Sequence, residues 1–221
     1  MPSACPSRVV VPDLVPVPAG RFLMGSEQGR PDEAPVRLAE VESFLLGRTP
    51  VTRAQYEPFL SAGLAPAPPW WDAAGFSGPN QPVVGVTWFE AVAFAEWLGA
   101  ECGGAYRLPT EAEWERAARG GIESAPTAWG RELPAGEIPD GPLEGPWPAG
   151  RGTPNGFGLC DMGTIVHEWC LDPYPGDPPR RASRGGSWRH RVRWSPPAAR
   201  SSLLPELRYA DYGFRVLKAA A

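Results

Sequence analysis

The chain reads Arg184-Gly-Gly-Ser-Trp188 and, after a long irregular segment, Gly213-Phe-Arg215. The segment between them, residues 189–212, follows neither the 3.6-residue period of a helix nor the alternation of a strand. A segment of that length without regular structure is usually functional or disordered. A strand-like apolar run begins directly after it, at Phe214. We therefore predict an ordered surface loop, and we expect the function to lie there.

The composition indicates a globular, loop-rich domain. Hydrophobic residues make up 43% of the 221 residues, and the ten tryptophans supply large side chains for a sizeable core. Proline and glycine number 29 and 26, which favours a path carried by turns rather than by long helices. A net charge of −4 argues against general binding to nucleic acid or to an anionic membrane.

Nothing in the sequence indicates export or a membrane span. The N-terminus lacks the basic stretch and the apolar run of a signal peptide. No apolar run approaches the roughly 20 residues that a membrane-spanning helix needs. We therefore expect no membrane insertion and a cytoplasmic or virion-associated location.

Three helices and several short strands are predicted, which makes the fold class α+β. Residues 15–25 indicate two short strands, and residues 122–158 show no periodicity and are predicted to be loop. Each helix is predicted to begin at a capping box, in which a threonine and a Gln or Glu three residues later bond to each other's backbone. The capping boxes are Thr52/Gln55, Thr87/Glu90 and Thr110/Glu113. Residues 1–14 are expected to be a loose leader before a single domain, 15–221.

The sequence contains four cysteines, at positions Cys5, Cys102, Cys160 and Cys170. No two of them have the C-x-x-C spacing of zinc or redox sites. We expect free or partly buried thiols. A single disulfide, between Cys160 and Cys170, is the alternative.

Eight runs of sequence match one family pattern in order and spacing. They are Pro18–Gly25, Pro50–Tyr56, Val84–Ala91, Arg107–Glu115, Asn155–Met162, Glu168-Trp169, Arg184–Trp188 and Gly213–Arg215. Together they resemble the formylglycine-generating-enzyme or sulfatase-modifying-factor domain over about residues 15–217. The resemblance implies a C-type-lectin-like fold of this type, rich in loops, with about three helices and short antiparallel strands. It leaves the function open, because the family includes oxidases, sulfoxide synthases, regulators and binding proteins.

The catalytic residues of the family's enzymes are missing from this chain. Formylglycine-forming members carry, after Gly-Gly-Ser-Trp, two cysteines that bind copper and the substrate thiol, whereas residues 189–200 contain no cysteine. The sulfoxide synthases use iron held by three histidines, and this chain has only His167 and His190. Ser187 near His190 is expected to form turn hydrogen bonds rather than a catalytic triad. We therefore predict that the chain is not an enzyme and has no catalytic residue, metal site or cofactor.

A calcium site is the one exception that the resemblance leaves open. Some relatives bind calcium near a Gly-Asn-Val-Trp-Glu-Trp run, which reads Thr164-Ile-Val-His-Glu-Trp169 here. His167 replaces the usual tryptophan, and we expect a histidine at the edge of the core with bonded nitrogens. The missing Gly and Asn weaken the site. A structural calcium between Asn155 and Glu168, bound by carboxylate and backbone oxygens, stays an alternative.

One branch of the family resembles this C-terminus closely, namely the variable proteins of bacterial and phage diversity-generating retroelements. The residues that match its pattern after Gly-Gly-Ser-Trp are Arg200, Pro205, Arg208, Tyr212 and Gly213-Phe-Arg215. The resemblance implies that residues 184–215 form a variable, ligand-binding region. The candidate variable positions are Arg189, His190, Arg191, Arg193, Ser195, Ser201, Ser202, Leu203, Leu204, Leu207, Tyr209 and Ala210.

The remaining residues of the region are expected to be scaffold. Diversification of Asn codons cannot produce Trp or Glu, so Trp194 and Glu206 would be fixed scaffold residues. We expect structural roles for the arginines Arg184, Arg200 and Arg208. Since Arg and Tyr are typical of interface hot spots, we predict a non-catalytic display protein that binds a protein or another macromolecular ligand. The alternatives are an oxidoreductase of the formylglycine-generating type with an atypical site, and a regulatory domain with a fixed partner.

Overall fold

The computed structural model of the protein describes residues 5–138 and 140–220. Three α-helices lie within these residues: α1 Arg53–Ser61, α2 Trp88–Cys102 and α3 Glu111–Arg119. All three begin at the predicted capping boxes, with both hydrogen bonds of each box present. The described part of residues 122–158 contains no helix or strand, as predicted. None of the helices found in the described ranges is long and apolar enough to cross a membrane.

Short strands form three sheets in the described part of the chain. The strands are β1 Leu14–Val17, β2 Gly20–Met24, β3 Arg37–Val41, β4 Phe44–Gly47, β5 Tyr106–Arg107, β6 His167–Tyr174, β7 Asp177–Arg184, β8 Arg200–Leu203, β9 Tyr212–Gly213 and β10 Leu217–Ala219. Their orders are β1-β4-β10-β5, β2-β3 and β8-β7-β6-β9. Pairing is antiparallel except between β6 and β9. The predicted α+β class with short antiparallel strands is therefore confirmed.

Two clusters of buried side chains form the core. Trp114 of α3 belongs to one of them, and Tyr56, Phe94 and Phe214 belong to the other. The Phe94 ring lies 5.3 Å from that of Tyr56 and 5.5 Å from that of Phe214, between ring centroids. Phe214 thus fixes the end of the irregular C-terminal segment in the core, next to helices α1 and α2.

The N-terminal leader packs against the domain over its described part, contrary to the expectation that residues 1–14 are loose. Val9 is only 7% exposed and joins the core cluster of Tyr56. Arg8 forms an ion pair of 2.6 Å with Glu101 near the end of α2. The expectation for residues 1–4 lies outside the described residues.

The leader also carries a disulfide that the sequence did not reveal. Cys5 is bonded to Cys102 at the end of α2, so the prediction of free thiols is wrong for these two residues. The alternative bond between Cys160 and Cys170 is wrong as well, because both are buried free thiols in the described structure. Cys5 and Cys102 are 97 residues apart in sequence, and only the packing of the leader against α2 brings them together.

The C-terminal segment, residues 189–212, is largely loop but contains two short regular elements. A 3-10 turn spans Val192–Trp194, and β8 pairs with β7 at the edge of its sheet. β8 reads Arg-Ser-Ser-Leu, which has no alternation of polar and apolar residues. Its strand conformation comes from main-chain pairing with β7, and for that reason the periodicity of the sequence did not predict it.

Candidate functional site

Buried ion pairs connect helix α3 to β7, which precedes the C-terminal segment, and to β8, which lies within it. Arg184, at the end of β7, donates to Glu111 Oε2 at 3.1 Å and also to Glu115. Arg200, at the start of β8, donates to the other carboxylate oxygen of Glu111. Because Glu111 and Glu115 belong to α3, the helix holds both strands. The structural roles predicted for Arg184 and Arg200 are confirmed.

Two further arginines fix the second half of the segment. Arg208 donates to both carboxylate oxygens of Glu90, at 2.7 and 2.5 Å, so its predicted structural role is confirmed too. Arg215 donates to both oxygens of Glu168, at 2.6 and 2.8 Å, and both side chains are completely buried. Paired arginine–carboxylate bonds of this kind are strong and directional. They hold the backbone on either side of the loop.

The candidate variable residues differ in exposure. The exposed ones are Arg189, His190, Arg191, Arg193, Leu207 and Tyr209. The half-buried ones are Ser201, Ser202, Leu203 and Leu204.

Ser195 and Ala210 are buried, contrary to their expected place on a binding face. Ser195 packs against Gly186, where an added Cβ would lie 1.9 Å from the Ser195 Oγ. Ala210 lies beside Trp188, whose Nε1 donates to the Ala210 carbonyl oxygen at 3.4 Å. Neither side chain is available to a ligand.

Trp194 is exposed over 68% of its surface, so its expected role as scaffold is wrong. The guanidinium of Arg193 lies 5.4 Å from the ring centroid of Trp194. A tryptophan preceded by Arg191 and Arg193 in a non-periodic segment is the sequence signal that could have placed it at the surface. We call the exposed side chains of this segment the C-terminal surface. Glu206, the other residue expected to be scaffold, is exposed too. The members of the C-terminal surface are Arg189, His190, Arg191, Arg193, Trp194, Glu206, Leu207 and Tyr209.

A row of aromatic rings lies at one end of the C-terminal surface. The ring centroids of His190 and His167 are 5.3 Å apart, those of His167 and Tyr212 are 4.8 Å apart, and those of Tyr212 and Tyr209 are 5.9 Å apart. His167 Nδ1 lies 2.9 Å from the carbonyl oxygen of Gly185, and since a carbonyl only accepts, Nδ1 carries the proton. Burial lowers the pKa of His167 to about 4. The imidazole is therefore neutral at pH 7.

Ser187, next to this row, has its Oγ 3.2 Å from His190 Nδ1, but its contacts do not follow the order of a catalytic triad. Its hydroxyl donates to Asp211 Oδ2 at 3.0 Å, and its backbone N–H donates to His190 Nδ1 at 3.2 Å. In a hydrolytic triad the carboxylate would bond the histidine and the histidine would take the serine proton. Here the carboxylate bonds the serine directly. The hydrogen bonds within the turn confirm the structural role predicted for Ser187.

The described residues do not provide the metal ligands that the enzymes of the resembled family use. No group of three or more His, Cys, Asp or Glu side chains is arranged to hold a metal ion in residues 5–138 and 140–220. Cys160 and Cys170 are buried away from the C-terminal surface, so a surface copper site built from two cysteines does not fit. Both carboxylate oxygens of Glu168 accept bonds from Arg215. A calcium ion near Asn155 stays a prediction.

Comparison with known proteins identifies the family. The model of the sulfatase-modifying factor enzyme 1-like domain matches residues 3–220. The chain belongs to this family. The formylglycine-generating enzyme of Mycobacterium tuberculosis is 34% identical, and the match covers 92% of this chain and 96% of that protein. The enzyme of the same name from Thermomonospora curvata is 31% identical, with 91% and 92% covered.

These relatives correct the prediction about catalysis. We predicted that the chain is not an enzyme, because the cysteine pair and the histidine triad are missing. That prediction is contradicted, since the sulfatase-modifying factor family places the chain among relatives named as enzymes over nearly their whole length. The absence of the cysteine pair and of the histidine triad does not place the chain outside a family whose relatives are named as enzymes.

Solved structures confirm the fold. PvdO from Pseudomonas aeruginosa superposes with a TM-score of 0.81 at 26% identity, and 95% of each chain is covered. The Treponema denticola variable protein 1 superposes with a TM-score of 0.77 at 22% identity, covering 94% of this chain and 95% of that one. The sulfatase-modifying factor fold is therefore shared by a protein described as variable, as the C-terminal pattern predicted.

Proposed function

We propose that this member of the sulfatase-modifying factor family binds a protein ligand through its C-terminal surface. The support is the contrast between exposed side chains and a rigid backbone. Trp194 is 68% exposed; Arg191 and Arg193 are exposed beside it in sequence, and Tyr209 is exposed later in the same segment. Trp, Tyr and Arg are the residues that carry most binding energy at protein interfaces. A surface rich in arginine suits a partner with acidic side chains.

Backbone hydrogen bonds hold the loop beneath these side chains. The carbonyl oxygens of Trp188 and His190 accept from the N–H groups of Leu143 and Gly141, at 2.8 and 3.1 Å. The N–H of Val192 donates to Asp140 Oδ1 at 2.8 Å. None of these bonds uses a side chain of the C-terminal surface. The surface side chains can therefore change while the loop keeps its path, and this is the observation that carries the proposal.

Retroelement diversification would use this property, and we include it in the proposal. The sequence pattern that ends in Gly213-Phe-Arg215 supports it, and the fold is compatible with it. The gene and its flanks should be sequenced in many cells of one population. Substitutions confined to residues 189–212, with a nearby reverse transcriptase and an adenine-rich near-copy of the segment, are the expected result. An invariant segment with neither element would refute diversification.

Binding itself is tested on the protein. A library of peptides rich in acidic and aromatic residues should be screened against the full chain. The Trp194→Ala/Tyr209→Ala double variant serves as the comparison. Selected peptides should bind the wild type at least about tenfold more tightly than the double variant, because each side chain is a large anchor. The matched control is Arg21→Ser, which removes an exposed arginine of β2 outside the C-terminal surface. Equal binding by wild type and double variant would refute the proposed surface.

A second candidate function is the activity stated in the relatives' names, generation of formylglycine. It is favoured by 34% identity to the Mycobacterium tuberculosis enzyme over 92% of the chain. The test is to incubate the protein with a cysteine-containing peptide and to detect an aldehyde with a hydrazide probe. The Mycobacterium tuberculosis enzyme serves as the positive control. Aldehyde formation that depends on His190 would support this candidate, and its absence beside an active control would refute it.

A further inference from the structure

A cavity of about 460 Å³ lies beside the C-terminal surface and takes no part in the function proposed above. One wall is the loop after β2, residues 25–29, and another is formed by residues 124–126. The end of α3 contributes Arg119, and the C-terminal segment contributes Arg193 and Pro196. Binding sites for small molecules typically occupy about 300–1,000 Å³. The cavity therefore has the size of a ligand site.

Arg119 is the most informative residue of this cavity, because it is only 4% exposed yet lines the space. Its Nε and Nη2 donate to Glu115 Oε1 at 3.0 and 2.6 Å, and Nη2 also donates to the carbonyl oxygen of Gly25 at 2.9 Å. Its Nη1 has no hydrogen-bond partner among residues 5–138 and 140–220, and this atom keeps some accessible surface. A buried guanidinium thus keeps donors for a group inside the cavity.

The ion pairs behind the cavity form a network of their own. Three arginines, Arg119, Arg184 and Arg200, pair with the carboxylates of Glu111 and Glu115. A third buried carboxylate, that of Glu33, also interacts with the charge of Arg184. The positive charge available to a ligand is therefore that of the arginines that line the cavity.

The exposed side of the cavity adds to the same charge. Arg131 and Arg193 line it, and neither has a carboxylate within ion-pair distance in the described residues. Glu27 is a lining carboxylate, and its Oε1 accepts from the N–H of Val36 at 2.8 Å. One acidic group does not offset the arginines, so the cavity is positive.

One part of the lining is apolar. Val36, Ala125, Pro126 and Ala198 provide this part of the wall. Such a wall has no hydrogen bonds to offer and instead favours contact with carbon atoms. A lone inorganic anion would leave it uncovered.

We infer that this cavity binds a small organic molecule that carries a phosphate group. The phosphate contacts Arg119, Arg131 and Arg193, and the organic part lies against Val36 and Ala198. Arginine suits this role because its planar fork of N–H donors matches the oxygens of a phosphate group. The site is separate from the C-terminal surface except for Arg193, which belongs to both.

The test is isothermal titration calorimetry on the full chain with phenyl phosphate as the probe, at constant ionic strength set with chloride. We expect saturable binding at one site, and weaker binding of inorganic phosphate, which lacks the apolar part. The Arg131→Ser/Arg193→Ser double variant should raise the Kd by about tenfold or more, since hydrogen bonds to charged groups contribute that much. Both side chains are exposed, so the variant should fold normally.

Two controls separate the cavity from general charge attraction and from the C-terminal surface. Arg21→Ser removes an exposed arginine that does not line the cavity, and it should bind phenyl phosphate like the wild type. Trp194→Ala should also keep this binding, even though it should weaken binding of the proposed protein ligand. No saturable binding by the wild type, or an equal loss in Arg21→Ser, would overturn the inference. Phosphate and phenyl phosphate binding equally well would overturn the role of the apolar wall.

Discussion

The buried pair of Glu168 and Arg215 provides the sharpest test of how the fold is held together. Both side chains are completely buried, and Arg215 also donates to the carbonyl oxygen of Gly47 at 2.9 Å. The Trp114 Nε1 donates to Glu168 Oε2 at 2.7 Å. Replacing Glu168 with Gln preserves the size of the side chain, removes its charge and turns an NH₂ group toward a donor. The charge of Arg215 then stays buried without a counter-ion.

The expected loss of unfolding free energy follows from this geometry. Removing one partner of a buried ion pair typically costs about 3–5 kcal/mol. For a chain of this size each kcal/mol lowers the midpoint of thermal unfolding by roughly 2–4 °C, so Glu168→Gln should lower Tm by about 6–20 °C. Urea unfolding followed by tryptophan fluorescence measures the free energy, and a thermal melt measures the midpoint.

A surface pair serves as the matched control. Glu137 and Arg151 form an ion pair of 2.7 Å with side-chain exposures of 58% and 52%. Exposed pairs contribute little because water screens them, so Glu137→Gln should leave the urea midpoint unchanged. If Glu168→Gln were no more destabilising than Glu137→Gln, burial of the Glu168–Arg215 pair would not be what stabilises the fold.

Three further predictions concern the site and its supports. His167→Gln should flatten the pH dependence of stability between about pH 6.5 and 4. Burial depresses the pKa of His167 to about 4, so the wild type loses stability as the pH falls through that window. Identical urea midpoints of both proteins across this range would contradict the prediction. Glu113→Gln should cost about 1–2 kcal/mol at pH 7, because Gln can keep its place in the capping box but loses the ion pair with Arg107. The difference should shrink below pH 4.5, because Arg107 and the capping bonds, outweighing burial, lower the pKa of Glu113; a difference that persists at pH 3 would be inconsistent. Trp188→Ala should cost roughly 3–5 kcal/mol and Tyr209→Ala little, since Trp188 is buried and Tyr209 exposed; similar urea midpoints for the two variants would argue against that division.

The sequence predicted those parts of the fold that depend on local bonds. The capping box at Thr110 and Glu113, for example, involves residues three apart, and their roles do not depend on the rest of the chain. The helices α2 and α3 were therefore predicted with their starting residues. The family pattern predicted the fold class, because its runs lie at the turns and buried contacts that define this fold.

The sequence did not predict features that depend on distant partners. Nothing local to Cys5 shows that it bonds Cys102, and β8 becomes a strand only through pairing with β7. Exposure in a loop is also decided by its surroundings. Ser195 and Trp194 are neighbours in the same segment, yet the first is buried against Gly186 and the second faces solvent.

The sequence predicted where the candidate site lies, but not all of the residues that form it. The irregular segment was identified by its missing periodicity, and the arginines with structural roles were separated from the exposed ones. The cavity beside it was missed, because its arginines come from the end of α3, from a loop near residue 131 and from residue 193. Only the folded chain brings these together. The prediction about catalysis is wrong for another reason, because the absence of particular residues does not separate the chain from relatives named as enzymes.

The position of β10 has a consequence for the order in which the protein can fold. β10 pairs with β4 on one side and with β5 on the other, so an inner strand of this sheet is synthesised after both of its neighbours. Until it emerges from the ribosome, β4 and β5 each expose an unpaired edge. Such long-range closure slows folding. A nascent chain that stalls after residue 212 would therefore be prone to aggregate, and a stable copy can form only once β10 has been translated.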